Sequence, residues 1–266
     1  MAADSDRLPD SAHIGSVLLR GADPERLRAF YEDTIGTPAG LIRFERSDQM
    51  PPRQSTGLFH TAIRFPTREA LASALRRAMH STAQMGGASD HGVSEALYMS
   101  DMEGNGVELY WDRPRALWPR EPDGRISMYT IPLDVPALLA LPEVEPDPSS
   151  VDIGHVHLKV SDIAGSLPFY RDLLGLDEQV SWGEAAFLSA GGYHHHVGMN
   201  VWESRGAPPA PEGAAGLGEM EIAVPDAAAV DAVAERLEAG GVATTRDDGR
   251  LLFRDPDRIP LAVAPA

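Results

Sequence analysis

Cysteine is absent from all 266 residues. That removes disulfides, thiolate metal sites, iron–sulfur clusters and cysteine nucleophiles, so any metal must be held by His, Asp, Glu or water. Positive charge is also scarce. There are 23 Lys and Arg against 40 Asp and Glu, a formal net charge of −17, which repels phosphate backbones and anionic lipid. Neither nucleic acid nor a membrane is therefore expected as a partner. No apolar run approaches the roughly 18 residues of a membrane span, and residues 1–10 are polar and acidic, so a cytoplasmic protein without a signal peptide is expected. A strand–GxGxxG–helix motif, a GKS or GKT loop and a GxSxG nucleophile elbow are all missing. The GGY, GN and DDG clusters read as hairpin turns.

What is present is an internal repeat. HIGSVLLRGADPERLRAFYEDTIG (His13–Gly36) matches IGHVHLKVSDIAGSLPFYRDLLG (Ile153–Gly175). Each places a strand-like run before an Asp, then a helix with Phe-Tyr-x-Asp that stops at a Gly. Asp23 and Asp162 stand where a side-chain carboxylate can cap the first turn, and Gly36 and Gly175 where a left-handed residue ends it. Fainter copies begin at Leu58 and Leu217, with amphipathic helices expected over 68–79 and 226–239.

Four strand–helix–strands modules follow, in two pairs. A Pro-rich stretch containing LPEVEPDPSS separates them, giving expected domains over 11–120 and 151–266 with a linker over 121–150. The first module has room for one strand after its helix (Leu41–Arg46), where the third has three. Its sheet must be incomplete, or be completed by the partner domain or by another subunit. The edge this leaves predicts a homodimer.

The motifs GHVHLKVSD, FYRDLLGL, FLSAGGYHHHVGMNVW, GASDHGVSEALYMSDMEGNGVELYW and FRDPDR resemble the vicinal oxygen chelate superfamily. That superfamily takes in glyoxalase I, bleomycin- and fosfomycin-resistance proteins and extradiol dioxygenases; the layout is most similar to two-domain catechol 2,3-dioxygenase-like proteins. The resemblance implies an α+β fold in which βαβββ modules pair into two glyoxalase-like domains, the first module truncated. It also implies a cup in each domain whose metal ligands lie on the first strand of each module and the last strand of the second. In the dioxygenases these are two His and one Glu.

Placed on this sequence in order, the resemblance implies two incomplete sets. The second pair offers His155 and Glu219, with Ala262 at the final carboxylate position, and either His196 or Asn200 available as a third group. The first pair offers His60 and Glu108, with Ser16 in place of the first His and His91 as a possible second imidazole. His196 falls near the acid–base histidine, while Asn200, Tyr193 and His91 are candidate substrate contacts. Strand alternation would point His195 away from the pocket. The metal implied is divalent, Fe(II) by resemblance, with Mn, Zn or Ni as alternatives and a metal-free pocket still open. Two functions stand at this point. One is a small-molecule enzyme resembling an extradiol ring-cleaving dioxygenase, or an isomerase, lyase or cyclase derived from one. The other is a metal-free protein sequestering an aromatic or cationic small molecule, as in the bleomycin-resistance branch.

Overall fold

The computed structural model describes residues 6–266. Module one holds β1 (His13–Gly21), α1 (Pro24–Arg28) and β2 (Ile42–Arg46); module two holds β3 (Gly57–Phe65), α2 (Arg68–Met79), β4 (Gln84–Asp90), β5 (Ser94–Ser100) and β6 (Gly106–Asp112). The connecting stretch carries β7 (Ile131–Pro132) and α3 (Val135–Leu139). Module three holds β8 (Asp152–Lys159), α4 (Ile163–Pro168), β9 (Asp177–Trp182), β10 (Ala185–Ser189) and β11 (Val197–Asn200). Module four holds β12 (Gly216–Val224), α5 (Ala227–Ala239), β13 (Thr245–Asp247), β14 (Arg250–Arg254) and β15 (Pro260–Pro265). The fold is thus mixed α+β, with four modules and a short first one.

The helices start where short acceptors precede them. Asp23, Thr67, Asp162 and Asp226 accept from the amides of Arg26, Ala70, Gly165 and Ala229; each such cap contributes about 1 kcal/mol. Helices α1 and α4 widen into π turns over Ala29–Ile35 and Phe169–Leu173, followed by glycines with φ of 93° at Gly36 and 89° at Gly175. Tyr31 and Tyr170 in these turns are fully buried, and their hydroxyls donate to Asp101 (3.1 Å) and Asp255 (2.8 Å). Arg77 donates to the carbonyls of Thr34 and Ile35, and Arg236 to those of Leu173 and Leu174. The helical elements therefore couple modules one with two and three with four, as neighbours in sequence.

The strands couple differently. In the nine-stranded sheet, ordered β7-β4-β5-β6-β3-β8-β11-β10-β9, β3 of module two lies antiparallel to β8 of module three. In the six-stranded sheet, ordered β13-β14-β15-β12-β1-β2, β1 of module one lies antiparallel to β12 of module four. The expected in-order pairing within 11–120 and 151–266 is thus corrected at the level of the sheets. Each first strand presents the same kind of apolar-backed edge, so the repeat does not specify which other first strand it meets. The truncated module is completed within the chain by β12, and β2 stays an edge strand, the feature on which a dimer would rest.

The stretch 121–150 does more than link. Strand β7 pairs with β4, Leu138 of α3 is buried, and Arg76 of α2 donates to the carbonyls of Leu139 and Leu141. One apolar core runs through both halves, from Val17 and Leu19 through Leu71 and Leu109 to Val230 and Leu261. No helix among the described residues is long and apolar enough to cross a membrane.

Candidate metal centre

Pairing β3 with β8 merges what the in-order reading split. Register across four strands of the large sheet places Tyr98 (β5) opposite Glu108 (β6), Glu108 beside Ala62 (β3), and Ala62 opposite His155 (β8). His60 lies two residues before Ala62, on the same face. The small Ala62 side chain therefore sits between Glu108 and His155, and imidazoles from two first strands converge on a carboxylate from the last strand of module two.

His60 Nε2 lies 2.9 Å and His155 Nε2 3.1 Å from the same oxygen, Glu108 Oε2, and the two Nε2 atoms are 3.3 Å apart. All three side chains are buried. Burial opposes ionisation of Glu108, but the two histidines outweigh it and hold the carboxyl well below its usual range. Burial lowers His155 to about 4 against the pull of Glu108, so the His155 lone pair and one carboxylate charge are available. Cis ligands about 2.1 Å from a common ion lie about 3 Å apart. The three donors are therefore set at ligand spacing, all within 4.8 Å of one another, and the set fits a divalent ion held on one side. His155 Nδ1 is buried without a hydrogen-bond partner among the described residues.

The other predicted positions scatter. Glu219 belongs to the six-stranded sheet, so it forms no site with His155; Arg43 reaches it at 2.5 Å and Arg250 donates to it as well. Arg250 also holds Glu221 at 2.7 Å, and Glu221 accepts from Ser16. Two guanidiniums facing two carboxylates leave no net negative charge there for a cation, and Ala262 offers no donor. His91 donates or accepts at the Tyr98 hydroxyl (2.7 Å), so it borders the site through that phenol. Asn200 bonds His157 Nε2 at 3.0 Å. Tyr193, buried in the loop before β11, bonds Tyr110 and Asp112, both at 2.7 Å, rather than standing at a rim.

The His194–His196 tract also departs from the alternation argument, because β11 begins only at Val197, after two left-handed glycines, Gly191 and Gly192. His196 turns back so that its Nδ1 accepts from the Ala190 amide (3.1 Å), while His195 packs against His155 with ring centroids 4.0 Å apart and planes tilted by 46°. His195, not His196, faces the ligand set. Burial holds His195 and His157 well below the usual imidazole range and His196 at about 3, so all three rings are neutral at physiological pH.

Several site residues escaped the reading of the sequence. Tyr98 was within reach, since the Asn105–Gly106 hairpin pairs it with Glu108 by counting. His157, Phe59, Phe187 and Trp202 make an aromatic wall beside His60, with centroids 5.2 Å apart for Phe59–His157, 5.4 Å for Phe59–Trp202 and 5.6 Å for His157–Phe187. Trp202 and Trp182, each 50% exposed, continue it to the surface. Alternation along β8 puts His157 on the face of His155, but nothing local marks Phe59, Phe187 and Trp202 as its neighbours.

Two substitutions test the packing. A Cβ on Gly154 would lie 1.6 Å from the Tyr110 hydroxyl. Gly154→Ala should therefore break the Tyr110–Tyr193 bond and lower stability by about 2–4 kcal/mol, read as a reduced urea midpoint. Ala62→Leu should fill the space between Glu108 and His155. Metal content should fall at least about tenfold, while stability changes by no more than about 3 kcal/mol.

A family model described as "Glyoxalase/Bleomycin resistance protein/Dioxygenase superfamily" matches residues 152–263. A protein of Bacillus subtilis (strain 168) named Catechol-2,3-dioxygenase is 41% identical over 271 residues, covering 93% of this chain and 95% of that protein. Among solved structures, a putative dioxygenase from Bacillus subtilis subsp. subtilis str. 168 superposes with a TM-score of 0.66 at 12% identity, covering 98% of this chain and 86% of that one. Glyoxalase I from Zea mays gives 0.57 at 14% identity, with 95% and 92% covered. By the extent of the first relative's match, this chain belongs to the glyoxalase/bleomycin resistance/dioxygenase superfamily.

Proposed function

We propose that this protein is a metal-dependent extradiol dioxygenase, opening the ring of an aromatic vicinal diol with O2 beside the two hydroxyl carbons. The observation that carries this reading is the complete two-His-one-Glu set His60, His155 and Glu108 in one buried cup. The relative named for catechol cleavage supports it. The reading of a derived isomerase, lyase or cyclase starts from incomplete ligand sets, whereas His60, His155 and Glu108 together offer a full set, which favours the dioxygenase reading.

Bound to these three residues, a divalent ion would supply a Lewis-acidic anchor for two adjacent substrate oxygens and, as Fe(II), the electrons that O2 chemistry requires. The residues of the chain do the rest. His60 and His155 are neutral donors, so Glu108 is the sole charge they bring and a dication keeps a net positive charge that favours a diol monoanion. Tyr98 lies opposite Glu108 across the β5–β6 pair, and its hydroxyl is held by His91. Phe59, Phe187 and Trp202 offer faces for an aromatic ring and keep water from the polar groups. His195, packed against His155, is placed to take a proton from a substrate hydroxyl and return it to the product.

The test is metal content by mass spectrometry on protein purified anaerobically, with O2 uptake on catechols measured in parallel. About one ion per chain is expected. His60→Ala and His155→Ala should each reduce it below about a tenth, while Glu219→Ala leaves it unchanged. A chain that binds no metal, or one emptied by Glu219→Ala, would overturn the proposal.

A further inference from the structure

Behind His195 lies a line of groups that leads out of the cup. His195 Nδ1 is 2.8 Å from His194 Nδ1, and His194 Nε2 is 2.8 Å from Asp112 Oδ1. The second Asp112 oxygen accepts from Tyr193 (2.7 Å) and Arg64 (3.3 Å), and Arg64 is itself paired with Asp152. Asp112 closes β6, four residues beyond Glu108 on the same face, and borders a surface pocket of about 280 Å³ with Arg64, Trp111, Ser150 and Asp152.

These bonds dictate tautomers. A neutral His194 must turn its Nε2–H toward the carboxylate, because a lone pair there would face a negative oxygen. Its Nδ1 is then an acceptor, so His195 must donate from Nδ1 and keep a bare lone pair on Nε2. His195 Nε2 has no hydrogen-bond partner among the described residues. We infer that Asp112 and His194 are positioning residues for His195, holding it in the Nδ1–H tautomer with its Nε2 lone pair toward the cup and giving a proton taken there an onward path. The inference rests on the proposed function only in assigning that proton to a substrate hydroxyl.

The step balances without a co-reactant. The substrate O–H bond breaks as N–H forms at His195 Nε2. The Nδ1–H bond of His195 breaks as one forms at His194 Nδ1, leaving an imidazolium against Asp112. The reverse transfer returns the proton to the product. The logic is that of a carboxylate fixing a catalytic imidazole, lengthened by one ring. Charge leaves the neighbourhood of the cation site and comes to rest beside a buried carboxylate.

The test begins with the full-length, metal-free protein labelled with 15N in its imidazoles. Long-range proton–nitrogen correlation should show His195 protonated on Nδ1 and His194 on Nε2. In Asp112→Asn the amide can donate to His194 Nε2, so both tautomers should invert, and kcat on a catechol should fall by about 10²-fold or more with KM within about threefold. His194→Phe leaves Asp112 its bonds to Tyr193 and Arg64 and should lower kcat alike. If the unsubstituted protein carries the His195 proton on Nε2, the inference fails whatever the variants do. A kcat within about twofold in a folded His194→Phe protein would also overturn it. The expected tautomers in a chain that binds no metal and turns over no catechol would uphold the positioning role while overturning the proposed function.

Discussion

Glu108→Gln should leave less than about a tenth of the native metal and reduce ring cleavage by about 10³-fold or more, with secondary structure intact. The glutamine keeps the volume of the side chain but brings no charge, and its NH2 group competes for the space facing the two imidazoles. Both histidines approach one oxygen, Glu108 Oε2, at 2.9 and 3.1 Å, and among the described residues no other carboxylate joins the set. Circular dichroism and metal analysis on the same preparation would check this. A glutamine variant that retains about one ion per chain would show that the ion sits elsewhere.

The second large effect is acid destabilisation of the metal-free protein. Burial lowers His155 to about 4 and His196 to about 3, and holds His157 and His195 well below their ordinary value. The unfolded chain takes up these protons as pH falls through about 6.5, whereas the folded chain resists until lower pH, so stability falls with falling pH across that window. At about pH 5 His155 and His196 each cost about 2 kcal/mol, and His157 and His195 act in the same direction. Asp255 acts in the opposite sense. Burial raises it to about 7, so the folded state holds an extra proton between about pH 4 and 7 and gains stability as pH falls. Asp101, also raised by burial, acts with Asp255, whereas the depressed Glu108 and Asp112 act with the four histidines, and that larger set decides the sign. The urea midpoint should be clearly lower at about pH 5 than at about pH 7.5, with an unchanged slope. An equal or higher midpoint would mean that these rings are hydrated in the native protein. Bound metal, by occupying His60 and His155, should flatten the dependence.

Much of the local structure was legible in the sequence because it is set by near neighbours. The capping roles of Asp23 and Asp162, the stops at Gly36 and Gly175, the helices near 68–79 and 226–239 and the shortness of the first module all follow from residues within one turn or one strand. The ligand types were legible too: His60, Glu108 and His155 stood out by position on first and last strands. Assigned to separate cups, they appeared as two defective sites.

The histidine tract shows why side-chain direction was less secure. Alternation holds only inside a strand, and the strand begins after the tract. Gly191 and Gly192 turn the loop so that His195 meets His155 and His196 bonds the Ala190 amide. Asp112 and His194, 82 residues apart, become partners only through that loop.

By itself, then, the sequence determined the modules, their caps and the chemistry each strand could offer. The tertiary structure decided which modules share a sheet. Strand pairing is a choice among edges of similar backbone chemistry, made by the packing of the whole chain. Joining module two to module three rather than to module one turned two incomplete donor sets into one.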